Sequence, residues 1–180
     1  MSCSCYSCAM KSDDTLWSCG SNFFGKLGVV GSGSGSPVDD PAKIRDTLTQ
    51  VGSDTWSAVA CGRSHTLAIK LDGTLWSCGF NQYGQLGLGG TYDSSGHIIE
   101  IPFVNTFTQV GSDTWSVVSS HGMHTMAIKS DVTLWGCGKN VVDHPHPINP
   151  PYSNLGLSPL GIGVADADPG ANKRVLPQSL

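Results

Sequence analysis

A unit of 59 residues, copied along the chain, limits this protein more than any other feature of its sequence. The string Leu-Trp-x-Cys-Gly recurs around Trp17, Trp76 and Trp135, each 59 residues after the last. Val51 to Ser57 returns unchanged at Val110 to Ser116. His65–Lys70 returns as His124–Lys129 with Leu67 changed to Met126, and Tyr6–Lys11 falls in the same register. Between 47–81 and 106–140, 23 of 35 positions are identical. A unit repeated at this period buries its apolar surface only against neighbouring copies.

The unit reads as β. Thr66-Leu67-Ala68-Ile69-Lys70 alternates large apolar with small or polar residues, the period of a strand. Asp72-Gly73 is a hairpin turn, because Gly accepts positive φ without a steric penalty, and Leu75-Trp76-Ser77-Cys78 returns as the partner strand. The equivalent turns hold Asp13-Asp14 and Asp131-Val132. Val132 lacks the glycine, so that turn is either of another type or strained. Phe107–Val110 and Trp115–Val118 read as two further strands, which makes four per unit, the count of a propeller blade. Ala68 and Ala127 fit a crowded blade face. Asn22–Gly28 and Asn81–Gly87 are Gly-rich loops, followed by variable excursions such as Gly31–Ser36. Pro41 to Thr47 reads as one helical turn at most.

Composition narrows the class. The chain has 180 residues, 23 of them Gly, and only 13% are charged. A net charge of −4 without a basic stripe argues against nucleic acid. No run of about 18 apolar residues exists, so membrane insertion by a helix is not expected. Met1–Cys5 has neither the basic region nor the apolar run of a cleaved signal peptide.

Gly62-x-x-His65-Thr66-Leu67-Ala68, Asp72-Gly73, Leu75-Trp76-x-Cys78-Gly79 and Asn81-x-x-Gly84-Gln85-Leu86-Gly87 resemble the regulator-of-chromosome-condensation repeat. Cys19, Cys78 and Cys137 stand where the family has a second Trp. In the third loop about ten residues are inserted before Tyr152-Ser153-Asn154-Leu155-Gly156 resumes the pattern. The resemblance implies an all-β fold of propeller-type four-stranded blades and a protein-binding role. Members usually form closed seven-bladed rings. Here about two and a half repeats of 59 residues are present, so a closed ring within one chain is not expected. The expected division is 1–45, a partial repeat with the last two strands and a loop; 46–104, a full repeat; and 105–180, a full repeat with the loop insert and a tail. Exposed blade edges follow, met by self-assembly, by docking on a large partner, or by further blades of a longer protein.

Candidate chemistry is sparse. His65 and His124 recur at one repeat position, with Tyr6 in the first copy. A catalytic group is needed once per site, so these histidines read as structural, their imidazoles bonded to backbone. Asp54 and Asp113, in identical Gly-Ser-Asp-Thr segments, read as turn residues. Cys19, Cys78 and Cys137 read as small buried groups, too far apart for the roughly 6 Å of a disulfide. Cys3-x-Cys5-x-x-Cys8 lacks the matching second pair of a zinc site. Asp143-His144-Pro145-His146-Pro147 lies in the third-loop insert. There His144, His146 and Tyr152 are the candidate partner-binding residues, since inserts in repeat proteins decorate binding faces. No phosphate loop, nucleophile elbow or once-only set of nucleophile, base and orienter is present.

The reading is therefore a non-enzymatic structural or protein-interaction module without cofactor or metal. Its partners are other protein subunits, its own or those of a larger assembly, and a surface or virion-associated component is the placement the open edges suggest. The alternative is a piece of a larger propeller acting in guanine-nucleotide exchange or chromatin binding.

Overall fold

A computed structural model describes residues 6–29, 44–89 and 100–139, and the backbone of 158–159. Among these, nine strands follow one another in chain order, each antiparallel to the next: β1 (Tyr6–Met10), β2 (Thr15–Ser21), β3 (Ile44–Cys61), β4 (His65–Lys70), β5 (Thr74–Phe80), β6 (Phe103–His121), β7 (His124–Lys129), β8 (Leu134–Gly138) and β9 (Ser158–Pro159). The alternating pattern of each repeat thus becomes a meander, and the all-β, unclosed propeller architecture is present.

β3 and β6 are longer than the pattern suggests. Ile44 to Thr55 pairs with β2, and the same strand continues from Trp56 to Cys61 against β4. β6 does the same, from β5 to β7. Each long strand therefore finishes one blade and begins the next. The two separate strands expected at Phe107–Val110 and Trp115–Val118 are one strand, and Ile44–Thr47 is strand rather than a helical turn. The reason is Gly52 and Gly111, both at φ +61, where the register shifts. A positive φ there takes up extra residues as a bulge and turns the strand without ending it.

The core lies between blades. Leu16, Leu27, Val29, Val51, Trp56 and Ala68 form one buried cluster between the first and second. Leu67, Ile69, Leu75, Val110, Trp115 and Ala127 form another between the second and third. β4 supplies both by alternation: Ala68 looks back to the first cluster, Leu67 and Ile69 forward to the second.

The hairpin turns repeat a small clamp. Asp13, Asp72 and Asp131 each accept from the backbone N–H (2.9–3.1 Å) and hydroxyl (2.5–2.6 Å) of the Thr two residues on. These bonds hold all three carboxyls below their usual range, the Thr hydroxyl contributing most. The same Thr oxygen accepts from the Trp indole N–H at 2.8–2.9 Å. A Lys ammonium caps each of these Trp rings, at 3.6, 3.8 and 3.7 Å from the centroid. Asp54 and Asp113 are not turn residues. They lie within β3 and β6 and pair with Lys70 and Lys129 at 3.0 and 2.8 Å.

The third turn keeps the geometry of the second. Gly73 sits at φ +85 and Val132 at φ +72, each donating its N–H back to the preceding Lys carbonyl at 2.9 Å. A β-branched residue is strained in this region. Val132→Gly is expected to raise unfolding free energy by about 1 kcal/mol and the melting temperature by a few degrees. Gly73→Val should lower it, and its Cβ would also press on the Thr114 Cβ at 3.3 Å. A thermal melt in which Val132→Gly is neutral or destabilising contradicts this account of the turn.

Candidate functional site

The chemistry that recurs in this chain sits at the seams between blades. Asn22 Oδ1 accepts from the Leu27 N–H at 2.9 Å, and Asn81 Oδ1 from the Leu86 N–H at 3.0 Å. The Ser18 and Ser77 hydroxyls donate to the Leu27 and Leu86 carbonyls, both at 2.9 Å. These buried bonds hold each Gly-rich loop on its own blade. One loop carbonyl is left to face the next blade. The Lys26 carbonyl accepts from Thr66 Oγ1 at 2.6 Å and from the Cys78 thiol at 3.6 Å. One repeat later, the Gln85 carbonyl accepts from Thr125 Oγ1 at 2.7 Å and from the Cys137 thiol at 3.5 Å. Cys78 and Cys137, two of the cysteines that replace the family's second Trp, are thus donors across the seam as well as small buried groups. Burial raises the Cys78 thiol, and pushes Cys137 up to about 12.

The histidine position crosses the same seam. His65 is fully buried, and its Nε2 lies 2.8 Å from Ser120 Oγ and 3.1 Å from Thr125 Oγ1 of the following blade. The expected backbone bond is replaced by these hydroxyls, because the ring points out of its own sheet. Gly62 makes room for it: a Cβ there would stand 2.3 Å from His65 Cε1. Tyr6 plays the part of His65 at the first seam. Its hydroxyl donates to the His65 carbonyl at 2.5 Å and lies 3.0 Å from Thr66 Oγ1.

Applied to the outer blades, the same pattern leaves two faces unmatched among the described residues. Ser7, Ala9 and Cys19 are the first-blade equivalents of Thr66, Ala68 and Cys78. Thr66, Ala68 and Cys78 are buried, whereas Ser7 and Ala9 are exposed and Cys19 is half-buried. At the other end His124 and Met126 stand where His65 and Leu67 are buried, and both are exposed. Val117 and Leu134 extend that apolar surface. The partner-binding candidates His144, His146 and Tyr152 lie outside the described residues, as do Cys3 and Cys5. No helix among the described residues is long and apolar enough to cross a membrane.

The description "Regulator of chromosome condensation (RCC1) repeat" matches residues 13–69 and 72–128, and a second model of that description matches 56–85. The chain belongs to this repeat family. Among proteins it resembles, the ultraviolet-B receptor UVR8 of Arabidopsis thaliana is 31% identical over 135 residues, covering 75% of this chain and 28% of that protein. Human protein RCC2 is 36% identical over 93 residues, covering 52% of this chain and 16% of its own length. Prp20p from Saccharomyces cerevisiae shares the fold with a TM-score of 0.57 and 21% identity, over 74% of this chain and 31% of Prp20p. Human WBSCR16 does so with a TM-score of 0.63 and 20% identity, over 87% of this chain and 37% of that chain. The chain therefore spans only a minor part of each RCC1-repeat relative.

Proposed function

We propose that the chain is a non-enzymatic protein-interaction module whose two outer blade faces stack on one another between copies, head to tail. The observation that carries this is the translation of the seam. Each internal seam joins a His or Tyr and a loop carbonyl on one blade to a hydroxyl, an Ala and a thiol on the next. The first blade presents Ser7, Ala9 and Cys19, the receiving side of a seam. The last blade presents His124 and Met126, the offering side. The loop that would supply the third carbonyl is the one bearing His144, His146 and Tyr152, and the proposal assigns these residues to the partner-facing side. Such a contact is heterologous and adds blades in a fixed direction.

Size-exclusion chromatography with light scattering, run over a wide concentration range, tests this. Mass should climb with concentration, and Met126→Arg should return the chain to a single-copy mass. A chain that keeps single-copy mass at every concentration contradicts the proposal.

A second reading is that the repeats serve a larger propeller in guanine-nucleotide exchange or chromatin binding. The described binding properties of Prp20p toward Gsp1p and histones, and the structure of Kap60 bound to yeast RCC1, support protein recognition as the class of activity. Acceleration of nucleotide release from a small GTPase by this chain would favour it, and no acceleration would count against it.

A further inference from the structure

The turn that joins the first two strands of a blade keeps its backbone from one copy to the next but not its side chains. Between β3 and β4 it is Gly62-Arg63-Ser64-His65, and between β6 and β7 it is His121-Gly122-Met123-His124, the same positions one repeat on. An equivalent bond pins each turn to its own blade. The Phe80 N–H donates to the Ser64 carbonyl at 2.8 Å, and the Lys139 N–H to the Met123 carbonyl at 2.9 Å. The later turn is pinned again by the preceding blade, where the Arg63 N–H donates to the Gly122 carbonyl at 2.9 Å. In the second blade the missing Gly62 side chain leaves room for the buried His65 ring. In the third, His121 takes the place of that glycine, and both His121 and His124 are exposed. The two are directly opposite partners of the antiparallel pair, so their side chains leave the same face of the sheet. Their ring centroids stand 5.9 Å apart with 55° between the planes. Two imidazoles bound to one tetrahedral ion at about 2.0–2.1 Å hold their ring centroids roughly 5 Å apart. A small rotation of exposed side chains on a pinned turn closes that difference.

We propose that His121 and His124 form a two-imidazole chelate for a divalent transition ion of the zinc type at the turn between β6 and β7. Neutral imidazole suits zinc, nickel and copper, whereas calcium and magnesium take oxygen ligands. Among the described residues no third His, Cys, Asp or Glu joins the pair. The turn therefore supplies two ligands and water fills the other positions, which leaves the ion at the surface and open to a further donor. The second blade lacks this site, because Gly62 offers no ligand and the His65 Nε2 is engaged by the Ser120 and Thr125 hydroxyls at 2.8 and 3.1 Å. His144 and His146 form no part of the chelate. It is complete in a single copy and does not depend on stacking.

The test titrates zinc chloride into the full chain, first stripped of metal with a chelator, and follows the histidine ring nitrogens by long-range proton–nitrogen NMR alongside calorimetry. The His121 and His124 ring signals should shift together and saturate at one ion for the pair, while the His65 ring stays unmoved. Magnesium chloride at the same concentrations should shift neither. His121→Gly copies the second blade and His124→Gln alters an exposed side chain, so both should fold, with thermal melts close to that of the natural chain. Each should weaken zinc binding at this site by at least the roughly tenfold that even an outer-shell change costs a metal site. His144→Gln combined with His146→Gln should bind as the natural chain does. Zinc uptake that leaves the His121 and His124 rings unmoved, as binding to the cysteines would, overturns the proposal. So does binding that survives both His121→Gly and His124→Gln, or binding that disappears when His144 and His146 are replaced.

Discussion

Trp56→Ala is expected to lower the unfolding free energy by about 3–5 kcal/mol in chemical denaturation. Trp56 begins the second blade at the joint of β3 and is 1% exposed. It packs in the cluster between the first two blades, with the Phe107 ring 5.0 Å away between centroids and the Lys70 ammonium 5.6 Å from its own. Its removal opens a cavity lined by two blades, where each half of the seam is held in place by the other, so collapse cannot refill it fully. Among the described residues the indole N–H has no hydrogen-bond partner. The role of Trp56 is therefore volume rather than polarity, and Trp56→Phe should cost well under half of the alanine loss. A Trp56→Ala loss below about 1 kcal/mol, or equal losses for both variants, would show that the blades do not hold one another through this cluster.

The second large effect is a dependence of stability on pH set by His65. Burial, with a smaller contribution from the charge of His124, pushes its imidazole from 6.5 down to about 4. Above the unfolded value the ring is neutral in both states and His65 adds no pH dependence. As pH falls through that value the unfolded chain binds a proton and the folded chain does not, so stability is lost until the folded ring titrates. At 1.36 kcal/mol per pH unit, the loss from His65 is about 3 kcal/mol across that window, and it is constant below it. The clamp carboxyls Asp13, Asp72 and Asp131 titrate below their usual range and add an acid loss of their own. The measurement is consequently a comparison: urea unfolding between pH 7 and 4 for the natural chain and for His65→Gln. The variant should show a slope smaller by about 3 kcal/mol over the interval, whatever its stability at pH 7. Parallel profiles would mean that His65 is solvated or charged in the folded state.

What could be read before the structure follows from locality. Strand alternation in His65–Lys70, the Asp72-Gly73 hairpin and the small residue at Ala68 depend on neighbours a few residues away, and each has its expected place. The partners of His65 could not be read this way, because Ser120 and Thr125 lie one repeat further on and become neighbours only when blades stack. The same holds for the carbonyl that holds Cys78. The continuity of β3 and β6 was hidden by Gly52 and Gly111, which look like strand ends in sequence and act as bulges in the sheet. Asp54 and Asp113 were similarly misplaced, since Gly-Ser-Asp-Thr has turn composition but lies along a paired strand facing a lysine.

The head-to-tail claim is tested most directly by mixing two singly blocked chains. Ala9→Arg disables the first-blade face and Met126→Arg the last-blade face, so each variant alone should give only single-copy mass by native mass spectrometry. Mixed in equal amounts, they retain one intact face of each kind and should form a two-copy species containing one of each, and nothing larger. Single-copy mass in the mixture, or two-copy species formed by either variant alone, would contradict stacking of the first blade on the last.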